Sequence, residues 1–177
     1  MIVEQPNSHF IFVFSKKYVY GGFHYIKHNN KPLTNKEYLE HWGKWLVLGV
    51  KEVLDDLAQR LDPYVEAEKI PCIKFDREML KEFEDMFLDE CVMCIYCDDR
   101  DRDDVWQILE KEGVKSKAWK YERDTMALWL PGGLLLEKWI SAKGLTDADA
   151  DKVRKDAENY FEKTFGDDNA IFTGVIQ

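Results

Sequence analysis

Hydrophobic and polar positions divide the chain into short apolar runs and longer stretches of helical period. His9–Phe14 is almost wholly apolar and predicts a strand, and Tyr18–Ile26 (YVYGGFHYI), aromatic and β-branched, predicts a second. Ser15-Lys16-Lys17 between them has the length and polarity of a hairpin turn, and Gly21-Gly22 suggests a bulge or a bend in the second run. Thr34 or Asn35 is placed to cap a short helical turn through KEYLEHW. Gly43–Gly49 predicts a buried strand. Val53, Leu54, Leu57, Ala58 and Leu61 then recur at helical spacing, with Asp62-Pro63 as the expected stop.

Cys72–Phe75 predicts a brief strand, and Asp76 an N-cap for a helix carrying Met79, Leu80, Phe83, Met86 and Phe87. Val105, Trp106, Ile108 and Leu109 mark a further helix closed by Gly113. Ala118–Tyr121 and Met126–Leu130 have strand composition, separated by Glu122-Arg123-Asp124, and Pro131-Gly132-Gly133 is a turn. Leu134–Ile140 begins a helix. Val153, Ala157, Tyr160, Phe161 and Phe165 give the clearest helical stripe, opened by a loose capping box at Thr146–Asp149, and AIFTGVI predicts a closing strand. With no internal repeat and no low-complexity linker, the expectation is one α+β domain over residues 1–177, a doubly wound α/β sheet being the alternative architecture.

Composition changes this picture little. The 177 residues are 45% hydrophobic and 33% charged, as in a globular protein rather than a disordered one. Charge does more. A net charge of −9 disfavours polymeric nucleic acid, whose phosphates need clustered cations, although Lys115, Lys117 and Lys120 leave a single phosphate group open. The N-terminus has no secretory pattern and no run approaches about 18 apolar residues, so the expectation is a cytoplasmic protein without a membrane span.

The candidate chemistry centres on DECVMCIYCDD, residues 89–99, where Cys91, Cys94 and Cys97 stand at C-x-x-C-x-x-C spacing, with Cys72 elsewhere as a fourth thiol. The residues between them, Val92, Met93, Ile95 and Tyr96, are those of a strand, which would turn Cys94 away from the other two. Buried free cysteines are therefore the preferred reading. The four thiols as an iron–sulfur or zinc nest, or as a redox group, stay the alternative. Asp98–Asp104 would place carboxylates at a strand end, where Mg²⁺ can sit, or would cap the next helix through Asp103 or Asp104. Asp147, Asp149, Asp151 and Glu158 follow a calcium-loop spacing, but Lys152 stands where that loop needs glycine. His24 and His28, four apart on a strand, would lie about 13 Å from one another. No phosphate loop, dinucleotide fingerprint or readable nucleophile–base set is present in the sequence, so no cofactor is expected and an enzyme is not the favoured class.

Gly43-Lys-Trp-Leu-Val47, Cys94-Ile-Tyr-Cys-Asp98, the helix DDVWQILEKEGV and the strand AWKYERDT together resemble an uncharacterised family typified by the basophilic-leukaemia-expressed protein. That family's fold is similar to the cap-binding translation initiation factor. The resemblance covers roughly residues 43–125. It implies a single curved, mainly antiparallel mixed sheet with helices on one face and the concave face free for a ligand. The initiation factor holds methylated guanine between two tryptophans, one of them before its Gly-Arg-Trp strand. The matching stretch here, PLTNKEY, has no tryptophan, so cap binding does not carry over. What remains is the expectation of a non-enzymatic binding module with an aromatic-lined groove for a nucleotide-like or peptide ligand. Its expected contacts are Trp42, Lys44, Trp119, Lys120 and Arg123, rings for stacking and cations for phosphate. A structural partner within a protein complex is the third class.

Overall fold

A computed structural model describes residues 1–6, 8–78 and 90–173. Its centre is a six-stranded sheet in the order β1-β2-β6-β7-β5-β8, every pairing antiparallel. The strands are β1 (Ile2–Glu4), β2 (Phe10–Val13), β5 (Trp42–Gly49), β6 (Cys72–Asp76), β7 (Cys91–Asp98) and β8 (Trp119–Tyr121). A separate hairpin joins β3 (Lys27–His28) to β4 (Lys31–Pro32) through Asn29 and Asn30. Seven helices are described: α1 (Lys16–Gly21), α2 (Asn35–His41), α3 (Lys51–Glu66), α4 (Arg102–Lys111), α5 (Glu122–Ala127), α6 (Leu134–Ala142) and α7 (Asp147–Phe165). This is an α+β architecture. The alternative, a doubly wound parallel sheet, is not what forms.

The period-2 rule explains the two faces of the sheet. Ile11 and Val13 of β2, Ile73 and Phe75 of β6, Cys91, Met93, Ile95 and Cys97 of β7, and Trp45 of β5 point one way. There they pack against Leu54, Leu57, Ala58, Leu61 and Val65 of α3 and Val105, Trp106 and Leu109 of α4. Phe12, Cys72, Tyr96 and Trp42 point the other way, into a second core with Tyr25, Ile26, Leu33, Tyr38, Phe165 and Phe172. Helices α3 and α4 supply the expected layer on one face. The opposite face is not left bare: α2, the end of α7 and the segment around Tyr25 cover part of it. A small third cluster joins α6 to α7 through Leu136, Ile140 and Ala150.

Several local expectations give way to caps and burial. Tyr18–Ile26 is not a strand. Ser15 caps α1 by accepting from the Tyr18 N–H, and Gly22, at φ 63°, ends that helix in the left-handed region. Glu122–Ala127 is likewise helix α5 rather than the start of a strand at Met126. Helix α3 runs through Pro63 to Glu66, because Val65 one half-turn further on is fully buried with the rest of the stripe. Asp103 and Asp104 lie in the first turn of α4, whereas the capping side chain is Asp98, which accepts from the Arg100 N–H at a 3₁₀ turn, Asp99–Asp101. Of the closing strand expected over AIFTGVI, the described residues form one bridge, Ile171 to Thr34, and residues 174–176 lie outside the described residues. The Asp76 carboxylate accepts from Val92 N–H at 2.7 Å, and the helix expected over 79–87 lies outside the described residues. No described helix is long and apolar enough to cross a membrane.

Helix α2 opens with the full capping box: Thr34 Oγ1 accepts from Glu37 N–H, and the Glu37 carboxylate accepts from Thr34 N–H. The bond from Thr34 N–H, with the Thr34 hydroxyl beside it, holds the Glu37 carboxyl below its usual range. Thr34→Ala is expected to cost about 1 kcal/mol, read from the urea midpoint at constant denaturant slope. An unchanged midpoint would show that the cap bonds are matched by water.

Candidate functional site

The five expected contacts do not form one groove. Trp42 is 0% exposed and sits under Tyr38, the ring centroids 6.2 Å apart. Lys44 shares that face, but it is buried and paired with Glu122 of α5 while lying 5.4 Å over the Tyr96 ring. Lys120 stands opposite Lys44 across the β5–β8 pair and is half-buried. Trp119 faces the other way, edge-on to Trp45 at 5.2 Å with Arg102 5.7 Å over its ring. Arg123 lies 4.1 Å over Tyr121 and donates to the carbonyls of Leu39 and Glu40, closing the end of α2. Trp42, Lys44 and Lys120 thus come together on one face. Trp119 is separated from them by the sheet, so the two tryptophans cannot clamp one ring.

The cysteines divide in the same manner. Cys91 and Cys97 join the α3–α4 core, whereas Cys72 and Cys94 border the opposite one. A tetrathiolate site needs four sulfurs converging on one ion. The strand that carries three of them sends Cys94 to the far face, so these thiols do not assemble the nest that the spacing left open. Burial pushes all four thiols above the ordinary cysteine range. The folded protein is therefore expected to react slowly with Ellman's reagent near neutral pH, and to release all four thiols on unfolding. One rapidly titrating thiol in the native state would contradict this placement.

His41, Asp98 and Asp99 do bring ligand-type atoms within 4.8 Å of one another, but each is already engaged. Asp98 accepts two hydrogen bonds from the Arg100 guanidinium, both 2.7 Å. Burial alone would raise the Asp98 carboxyl; the Arg100 bonds and charge outweigh it and hold the group below its usual value. His41 Nδ1 meets Asp99 Oδ1 at 2.9 Å, and the Tyr121 hydroxyl donates to Asp99 Oδ2 at 3.0 Å. The result is a network that ties α2 and β8 to the end of β7.

A large open cavity lies elsewhere, with a volume of about 750 Å³, within the range of small-ligand sites. One wall is α1 and the segment after it, with Lys17, Tyr18, Phe23, His24 and Tyr25. The β3–β4 hairpin adds Lys27, Asn29 and Asn30, the end of α3 adds Tyr64, Glu68 and Lys69, and α4 adds Asp104, Gln107, Ile108 and Lys111. Four Phe and Tyr rings and four lysines line it, against three acidic groups, in a chain that is acidic as a whole.

Each side chain is placed by a local cause. The Tyr18 and Tyr25 rings meet edge to face at 4.5 Å, both against Phe14, so this wall is anchored in the second core. Phe23 is 53% exposed, and its ring lies against Gly21, where an added Cβ would come within 2.9 Å. Lys17 Nζ stands 4.8 Å over that ring, and Lys111 Nζ stands 5.9 Å over Tyr64. Tyr64 also donates to Glu112 at 2.9 Å. His24 Nε2 donates to the Phe172 carbonyl at 2.7 Å, and His28 Nδ1 pairs with Asp101 at 2.9 Å. Among the described residues, the three non-glycine positions at positive φ, Asn29, Asn30 and Glu68, all border this cavity. The two asparagines suit a tight hairpin turn. Glu68 must adopt φ 57° because the chain reverses after α3, with Lys69 and Ile70 both donating to the Tyr64 carbonyl, to bury Ile70.

None of the five expected contacts lines this cavity. A usable signal was present in Ser15 and Gly22, the cap pair of a short helix that turns YVYGGFHYI from a strand into a cavity wall. No family model, curated protein or solved structure matches the chain.

Proposed function

We propose that the protein is a non-enzymatic binding module whose ligand is nucleotide-like: a planar ring joined to an anionic group, held in the α1–α3–α4 groove. The observation that carries this reading is the pairing of exposed Phe23 with Lys17 directly over it, beside Lys27 and Lys69, in the basic lining of an acidic chain. Rings of any base stack on such a platform, and ammonium groups meet phosphate as point charges. Two polar groups of the lining with reactive side chains are engaged structurally: Ser15 caps α1, and His24 is bonded to the Phe172 carbonyl. These engagements support binding over catalysis.

Titration calorimetry with adenosine monophosphate, adenosine and a short acidic peptide containing an aromatic residue tests this. The nucleotide is expected to bind more tightly than the nucleoside. Phe23→Ala is expected to cost about 1–3 kcal/mol of binding, the weight of one stacked base, without changing the thermal melt. Binding of the peptide in place of the nucleotide would favour a peptide groove. No heat from any of the three at millimolar concentration would reject the reading.

A further inference from the structure

The carboxylate of Glu68 lies between two ammonium groups inside the proposed groove. Its Oε1 accepts from Lys17 Nζ at 2.7 Å and its Oε2 from Lys27 Nζ at 2.5 Å. The two lysines come from α1 and from β3, and Glu68 follows α3, so three separate segments converge on one negative charge. That charge is carried by a residue in a left-handed backbone conformation that disfavours side chains with a Cβ, where glycine is the usual occupant. Position 68 thus keeps a residue that costs the backbone something and supplies a carboxylate to the cavity. The hydrogen bonds from the two lysines, with their charges, hold that carboxyl below its ordinary range, so it is ionised at neutral pH.

This arrangement is that of a bound anion, with the protein's own side chain in the anion's place. We infer that Glu68 is an internal occupant of the phosphate subsite, and that a phosphate monoester binds by displacing its carboxylate from Lys17 and Lys27. The inference rests on the binding reading above. A phosphate monoester near neutral pH carries close to two negative charges and three acceptor oxygens. It therefore outcompetes a single carboxylate for two ammonium groups, whereas a ligand carboxylate gains nothing over the one it replaces. Phe23 lies under Lys17, so a phosphate held there sets its attached ring beside the exposed Phe23 face. The subsite thus selects phosphate over carboxylate, and Glu68 sets the concentration at which the groove fills.

The test compares adenosine monophosphate binding to wild type, Glu68→Gln, Glu68→Gly and Glu66→Gln by calorimetry at low ionic strength. Glu66 does not border the cavity; its carboxylate accepts from Lys16 N–H at 3.0 Å, an acceptor role that glutamine keeps, so Glu66→Gln removes the same charge nearby while leaving the bonds at Lys17 and Lys27 in place. Both Glu68 variants are expected to bind roughly 3- to 30-fold tighter, the weight of two exposed ion pairs, while Glu66→Gln stays near wild type. Glu68→Gly also relieves the backbone and keeps the test usable if the glutamine variant melts early. Wild-type binding that is unchanged or weakened in both Glu68 variants overturns the inference and leaves the binding reading standing. Equal tightening by Glu66→Gln overturns it too, because general charge would then explain the gain. No nucleotide binding by wild type or by either Glu68 variant rejects the binding reading, and this inference with it.

Discussion

Replacing Glu122 by Gln is expected to destabilise the fold by about 3–5 kcal/mol, because it leaves the Lys44 charge buried without a partner. The two side chains are 8% and 13% exposed, and Lys44 is further enclosed by the Tyr96 ring. An ion pair so placed has lost most of its hydration. Its attraction compensates for that loss, but one ion left alone keeps the cost and loses the compensation. The double change Lys44→Met with Glu122→Leu is expected to recover most of the stability, since no charge is then stranded. Urea denaturation of wild type, both single variants and the double variant measures this as a thermodynamic cycle. A single-variant loss below about 1 kcal/mol would mark a solvated pair, and Lys44 would then be available to a ligand as its sequence context suggested.

Trp42→Ala is expected to cost about 3–5 kcal/mol for the cavity it leaves, with nucleotide binding to the remaining folded protein unaltered. Trp42 is wholly buried among Tyr38, Tyr96 and the aromatic residues around them, and it does not border the groove. Its indole N–H is buried and has no acceptor among the described residues. Trp42→Phe should therefore cost much less than Trp42→Ala, because it removes an unsatisfied donor while retaining an aromatic ring. Urea midpoints of the two variants check the order. Equal losses would show that the indole N–H is satisfied by water, and weakened binding in folded Trp42→Phe would restore this residue as a ligand contact.

What could be read from the sequence follows from how local each signal is. The alternation in CVMCIYC is complete within one strand, so both its strand character and the opposed direction of Cys94 were legible. Thr34 and Glu37 announce α2 by a pattern of four residues, and the α3 stripe survives even Pro63. Helices α1 and α5 were hidden because each is six residues long, fewer than two turns, too short for apolar period to outweigh Tyr-Val-Tyr or Met-Ala-Leu composition. The cap pair Ser15 and Gly22 defines α1, whereas α5 has no capping side chain. The candidate site was less legible still. Its lysines, Lys17, Lys27, Lys69 and Lys111, form no cluster in sequence, whereas the cluster that is visible, Lys115, Lys117 and Lys120, contributes nothing to the groove. Trp119 and Trp42 looked alike, each open to core packing or to ligand stacking, because sequence does not give the face of a short strand until its register is known. Register places Trp119 opposite Trp45 and so on the α4 side.

The most direct test of the central claim is a two-dimensional amide NMR titration of the isotope-labelled protein with adenosine monophosphate. Saturable shifts are expected to be confined to the groove walls: residues 17–30, the end of α3 from Tyr64 to Lys69, and the Asp104–Lys111 face of α4. Shifts centred on Trp42, Lys120 and Arg123 instead, or none at all at millimolar nucleotide, would contradict that claim.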